Sequence, residues 1–192
     1  MRTVPGVARI ALDIDSTLHH YWDLLEQIAM DEFGVAIPYA DQADWGITAL
    51  DKDQLVECIR QSHSDENIAG SAPYEGAVAA VNRWHAAGHW IHVTSHRREA
   101  CAPATERWLS EFGFRYDDLH CSFDKITRCV ELDVDVLVDD SPVNLRGARE
   151  HGILGATIPH PWNERIVSEG GVVAAPAWAD LEARINQALA EP

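Results

Sequence analysis

The chain has 192 residues, 46% of them hydrophobic and seven of them tryptophan, and a formal charge of −16. That length suits one domain or a domain with a modest insertion, and that composition suits a folded globular protein rather than a disordered one. The charge excludes nucleic-acid polymers and anionic membranes as partners, since both ask for a basic surface, and no apolar run reaches the ~18 residues of a membrane span.

In chain order, the first element is a strand over 7–13 (VARIALD), entered without any signal-peptide layout, so the expected location is the cytoplasm. The run ends in Asp13-Ile14-Asp15. From 19 to about 74 no strand is expected. Two amphipathic helices, near 22–33 and 51–62, are joined there by a loop holding Pro38 and Trp45, which reads as a small helical insertion. A helix over 76–87 carries Val78, Val81 and Trp84 on one face, and a strand follows over 89–94. A helix over 103–112, a strand over 118–122, a helical segment opened by Lys125, and a strand over 134–139 come next. The pattern closes with a helix over 142–151, a strand over 153–158, an edge strand over 172–174 and a helix over 178–189. Gly88, Gly113 and Gly152 stand where helices stop.

Such alternation predicts an α/β fold with a doubly wound parallel sheet, whose ligands sit beyond the carboxyl ends of the strands. The core is expected over 1–18 and 75–192, with a helical cap over 19–74. Cys58, Cys101, Cys121 and Cys129 form no CxxC pair and read as idle thiols.

Three of these strands deliver polar groups to one edge: Asp13 and Asp15, then Thr94-Ser95-His96-Arg97, then Asp139-Asp140. A strand period of two would turn Asp13 and Asp15 the same way. Asp117-Asp118 is also an acidic pair, but it precedes its strand and reads as surface. Four carboxylates against the single ammonium of Lys125 are hard to hold together, because two like charges ~4 Å apart repel by ~4 kcal/mol at an effective dielectric of 20. Either some aspartates are protonated or a cation joins them, and an all-oxygen ligand set with room for water and phosphate suits Mg²⁺. A net charge this negative leaves a small phosphate ester open as substrate, since over a Debye length of ~8–10 Å a metal ion and a few basic groups outweigh distant carboxylates. One carboxylate can then attack phosphorus while the other moves protons, with donors from Thr94 and Lys125 on the phosphoryl oxygens.

Together these residues resemble the haloacid-dehalogenase (HAD) superfamily of aspartate-dependent phosphohydrolases. Asp13, Asp15 and Thr17 meet its D-x-D-x-T motif, Thr94 its second, Lys125 its third, and Asp139 with Asp140 its acidic fourth. The resemblance implies a HAD-like Rossmannoid core in which Asp13 is the nucleophile forming an aspartyl-phosphate and Asp15 the acid/base that also ligates metal through its backbone carbonyl. It implies Asp139 as the first choice of magnesium ligand, with Asp140 acting through water or by positioning Lys125, and Thr94 bonded to the phosphoryl group. The stretches ADWGITALDKDQLVECI, APYEGAVAAVNRWHAAGHWIHVTSHR and VDVLVDDSPVN are similar to the 5'(3')-deoxyribonucleotidase branch. His96 and Arg97 stand where many relatives carry proline.

The expected activity is therefore a Mg²⁺-dependent phosphatase of a small phosphomonoester, a nucleoside monophosphate first and a sugar phosphate or phosphoglycolate as the alternative. A phosphoryl-accepting signalling module and a catalytically silent binding domain are the readings of another class. A homodimer is compatible with all of them. Tyr21, Trp22 and Trp45 offer aromatic faces for a nucleobase, although packing within the cap is the stronger reading for any one of them. Ser95 and Arg97, with Arg98 beside them, are candidates to hold phosphate. His19 and His20 come close behind Asp15, within reach of substrate, with a hinge into the cap as the stronger reading; His160-Pro161-Trp162-Asn163 follows the fifth strand within reach of the site rim, with a structural turn as the stronger reading.

Overall fold

A computed structural model describes residues 6–44 and 46–190. Six strands, β1 (Arg9–Leu12), β2 (Trp90–Ser95), β3 (Asp118–Cys121), β4 (Val136–Val138), β5 (Leu154–Thr157) and β6 (Val172–Ala174), pair in the order β3-β2-β1-β4-β5-β6. Every pairing is parallel. β1 lies in the middle, and the order reverses across it, as a doubly wound sheet requires.

The strands are short and apolar because helices cover both faces. Ile10 and Leu12 of β1 point to one side, where they pack with Val81 and Trp84 of α4 (Ala77–Ala86), Trp108 of α5 (Ala102–Glu111) and Trp178 of α9 (Trp178–Ala190). Ala11 points to the other, packing with Leu137, Cys129 of α6 (Lys125–Glu131) and Ala148 of α7 (Pro142–Glu150). The second layer is thin and tight. A Cβ at Gly147 of α7 would come within 3.0 Å of Ile126, so α6 rides close on α7 and its first residue, Lys125, is carried low over the strand ends.

Between β1 and β2 come α1 (Tyr21–Phe33), α2 (Lys52–Ser62) and α3 (Asp65–Gly70). Asp51 caps α2 through a reciprocal pair with Gln54, which is why the helix starts where its apolar period does. The third, a six-residue helix capped by Ser64, is too short to show a period and was not expected from the sequence. Nor was α8 (Glu164–Glu169). The insert has its own apolar cluster, built from Trp22, Leu25, Ile28, Ile37 and Cys58 among others, and one member, Trp162, comes from the loop after β5. Trp22 is therefore a packing residue: its indole donates to Ile37 O at 2.9 Å and its ring tilts against Trp162 at 5.2 Å. Trp45, the other tryptophan considered for a nucleobase, lies outside the described residues. All four cysteines are free, and among the described residues no helix is long and apolar enough to cross a membrane.

The turn 160–163 ties the insert to the sheet. His160 Nε2 donates to Ser16 O at 2.8 Å, which leaves Nδ1 to accept from Tyr39 Oη at 2.8 Å and fixes one tautomer. Burial lowers the His160 pKa to about 4, against a backbone hydrogen bond to Ser16 that raises it. Between about 4 and the unfolded value near 6.5 the unfolded chain binds a proton that the folded one refuses, so stability falls as pH drops through that window. Urea unfolding of His160→Gln is expected to be flatter than wild type over the window, with a difference on the order of 2 kcal/mol accumulating by its acid end.

Candidate active site

β1 ends at Leu12, and the strand pairing carries on for one residue, with Asp13 N bonded to Val138 O at 2.9 Å. Continuing the strand register by one residue places Thr94 of β2, Asp13 and Asp139 side by side on one face. Lys125 completes the row. Its ammonium lies 2.6 Å from both Asp13 Oδ1 and Asp139 Oδ2, with all three groups buried. Thr94 is fully buried, and its hydroxyl has no hydrogen-bond partner among the described residues.

Asp15 does not follow the strand period. After Asp13 the chain folds back, with Thr17 N and Leu18 N both bonded to Ile14 O and Ser16 in the left-handed region at φ 60°. The turn ends the alternation, so the Asp13 and Asp15 carboxylates meet different partners although both line one cavity. Asp15 receives a two-pronged contact from Arg97, at 2.8 Å from Nη2 and 3.3 Å from Nε. His19 Nε2 at 2.8 Å, Ser95 Oγ at 3.3 Å and His63 Nε2 at 3.4 Å surround the same carboxylate. Arg97 is buried and also bonds Thr105 of α5. The two side chains named for phosphate, Ser95 and Arg97, are thus both engaged with Asp15, while Arg98 is exposed on the cavity wall.

Burial makes each of these charges expensive, and the partners decide which survive. Burial pushes Asp13 up to about 7, helped by the charges of Asp139 and Asp15 and opposed by Lys125. Asp140 is raised well above the carboxylate range, first by burial and then by Asp13 and Asp139. Burial acts the same way on Asp15, but Arg97 and the hydrogen bonds of His19 and His63 outweigh it and hold this carboxyl well below its usual value. Lys125 is pulled down by burial and pushed up further by Asp13 and Asp139, so it stays charged.

Carboxylate oxygens of Asp13, Asp139 and Asp140 all lie within 4.8 Å of one another. The set fits a hard divalent ion: three buried oxygen donors, two of them driven towards protonation by burial and then by their carboxylate neighbours. The three are not equivalent. Asp139 already accepts from Lys125, from Ser141 N at 2.8 Å and from Asn144 Nδ2 at 3.1 Å on both oxygens. Asp140 accepts from Trp162 Nε1 at 2.9 Å, and its backbone carbonyl accepts from Asn163 Nδ2 at 3.1 Å. The tetrapeptide of Trp162 and Asn163, read as a turn with the site rim within its reach, grips Asp140 through both residues, a contact no local signal names. Asp117 and Asp118 lie apart from this cluster, at the opposite end of β3, where they serve Ile91 N and His92.

A cavity of about 830 Å³ opens over the cluster. Its floor is Asp13, Asp15, Lys125, Asp139 and Asp140, and α2 contributes Val56, Ile59 and Arg60 to the opposite wall.

No protein-family model and no curated protein sequence matches the chain. Solved structures do. A haloacid dehalogenase-like hydrolase, SP0104 of Streptococcus pneumoniae, superposes with a TM-score of 0.69 at 16% identity over 95% of this chain and 100% of its own. A HAD family hydrolase of Deinococcus radiodurans, solved with phosphate and sodium, gives 0.68 at 16% over 98% and 100%. A predicted phosphoglycolate phosphatase of Haemophilus somnus gives 0.65 at 14% over 93% and 97%. The chain has the haloacid dehalogenase-like fold, core and helical insert included.

Replacing Arg97 by methionine strands the part-buried Asp15 carboxylate without its guanidinium. Urea denaturation is expected to show a loss of about 3 kcal/mol or more, against under ~0.5 kcal/mol for a solvated arginine.

Proposed function

We propose that the protein is a Mg²⁺-dependent phosphomonoesterase in which Asp13 is the nucleophile. The observation that carries this reading is Lys125, held 2.6 Å from Asp13 and 2.6 Å from Asp139 under an open cavity. Lys125 fixes one Asp13 oxygen and leaves the other to attack phosphorus. The Asp13 oxygen bonds to phosphorus as the ester oxygen leaves, and that oxygen takes a proton from Asp15. Water then gives a proton to Asp15 and attacks the aspartyl-phosphate, which releases phosphate and restores Asp13. Arg97 holds Asp15 in the ionised form that accepts the proton from water; the dianionic substrate brings like charge that raises Asp15 towards the form that donates one. The unpartnered Thr94 hydroxyl lies in the same row and suits a phosphoryl oxygen.

Mg²⁺ would be held by Asp13, by Asp140 rather than the fully engaged Asp139, and by the backbone carbonyl of Asp15. Bound there, it supplies positive charge against the carboxylates and the phosphoryl oxygens.

For the alcohol part, a non-nucleotide ester is the better-supported reading. Trp22, which favoured a nucleobase in the sequence, is spent inside the insert, and one similar structure is described as a predicted phosphoglycolate phosphatase. A nucleoside monophosphate is the second reading, supported by the ring of Phe123 on the cavity wall.

Asp13→Asn is expected to lower phosphate release by a factor of about 10³ or more on any ester the wild type cleaves, in a malachite-green assay with Mg²⁺. Retained turnover would exclude the nucleophile. Mg²⁺ binding measured by calorimetry is expected to release protons and to strengthen as pH rises through about 7, where Asp13 gives up its proton, with the raised Asp140 adding to the release.

A further inference from the structure

Nine large apolar side chains are left exposed among the described residues, and four of them line the cavity over the carboxylates: Val56, Ile59, Phe123 and Val143, at 51%, 39%, 73% and 72% exposure. The four come from three separate elements. Val56 and Ile59 are three apart on α2, hence on one face of the insert. Phe123 stands in the loop after β3, and Val143 in the first turn of α7. Folding left them in water, and where the other five are scattered, the convergence of these four on one concave site is the arrangement of a ligand wall.

The polar groups on that wall do not change its character. Arg60 is spent on Glu57, at 2.5 and 2.7 Å. His96 stacks nearly parallel to Phe123, with ring centroids 5.8 Å apart and planes at 22°, so its ring is engaged with the aromatic wall. His63 is turned to Asp15. Arg98 is the remaining cation, and it is exposed.

Resting on the phosphomonoesterase reading above, we infer that the preferred substrate is a phosphate ester whose alcohol carries an uncharged, apolar ring system, seated between α2 and Phe123, rather than a polyol or a carboxylate. Polyol hydroxyls would lose their water against Val56, Ile59 and Val143 and gain no partner there. A ring gains contact on both sides. Selection then comes from the wall, while the carboxylates and Lys125 act on a phosphate common to every candidate.

The test compares 1-naphthylmethyl phosphate with glycerol 1-phosphate and 2-phosphoglycolate, all with an alkyl leaving oxygen, using the Mg²⁺-loaded full-length protein. The expected result is a kcat/KM at least tenfold higher for the ring ester. Phe123→Ala and Val143→Ser should each raise its KM by roughly fivefold or more and leave the polar esters unchanged. Binding of the non-hydrolysable 1-naphthylmethylphosphonate, followed by calorimetry, supplies a readout without turnover. Binding weakened by Phe123→Ala with no ester cleaved would support the apolar wall while removing the phosphomonoesterase reading. Equal or better turnover of the polar esters, or a preference for phosphoglycolate lost in Arg98→Ala, would overturn the inference and leave the phosphomonoesterase standing. No binding and no turnover would remove both.

Discussion

A single buried ammonium sets the terms for the rest of the molecule. Lys125 sits between Asp13 and Asp139, and without it two carboxylates brought together by neighbouring strands would face each other in a medium that cannot screen them. Its position depends on the sheet order, which makes β1 and β4 neighbours, and on the tight seat of α6 against α7 at Gly147. One cation cannot balance the whole group. Asp140 stays raised, as does Asp13, by burial first and by the neighbouring carboxylates second, and that unrelieved cost of charge is what would make the cluster receptive to a divalent ion.

A second ion pair has a different character. Arg97 and Asp15 are matched and hydrogen-bonded, with His19, Ser95 and Thr105 filling the remaining valences. The site therefore holds two carboxylates two residues apart whose proton affinities are driven in opposite directions, Asp13 upward and Asp15 downward. Such a split is the pattern by which one pocket performs distinct proton tasks. It arises from the turn at Ser16, which sends one carboxylate towards the Lys125 row and the other towards β2 and α5.

Much of this fold was legible in the sequence because a parallel sheet covered on both sides writes its strands as uninterrupted apolar runs. The runs at 153–158 and 172–174 and the helix at 76–87 all have their counterparts in β5, β6 and α4. The acidic, hydroxyl and lysine residues of the site were legible for a related reason: each follows or precedes such a run. Contacts carried by tertiary packing were not. Arg97 in Thr-Ser-His-Arg reads as a phosphate contact, and only the approach of α5 and the Ser16 turn direct it to Asp15 instead. Packing was the stronger reading of Trp22, but nothing local reveals its partner, Trp162, 140 positions later. The six-residue helices α3 and α8 are too short for periodicity to register.

Trp162 has one more implication. Its ring belongs to the apolar cluster of the helical insert, and its nitrogen holds the Asp140 carboxylate. Structural modules and stretches of chain therefore do not coincide: the insert's interior ends in a residue that sequence order assigns to the core. Anyone grafting these three helices onto another scaffold, to exchange one selectivity for another, would have to carry the 160–163 corner along with them, or leave a hole in the transplant and a carboxylate adrift in the host.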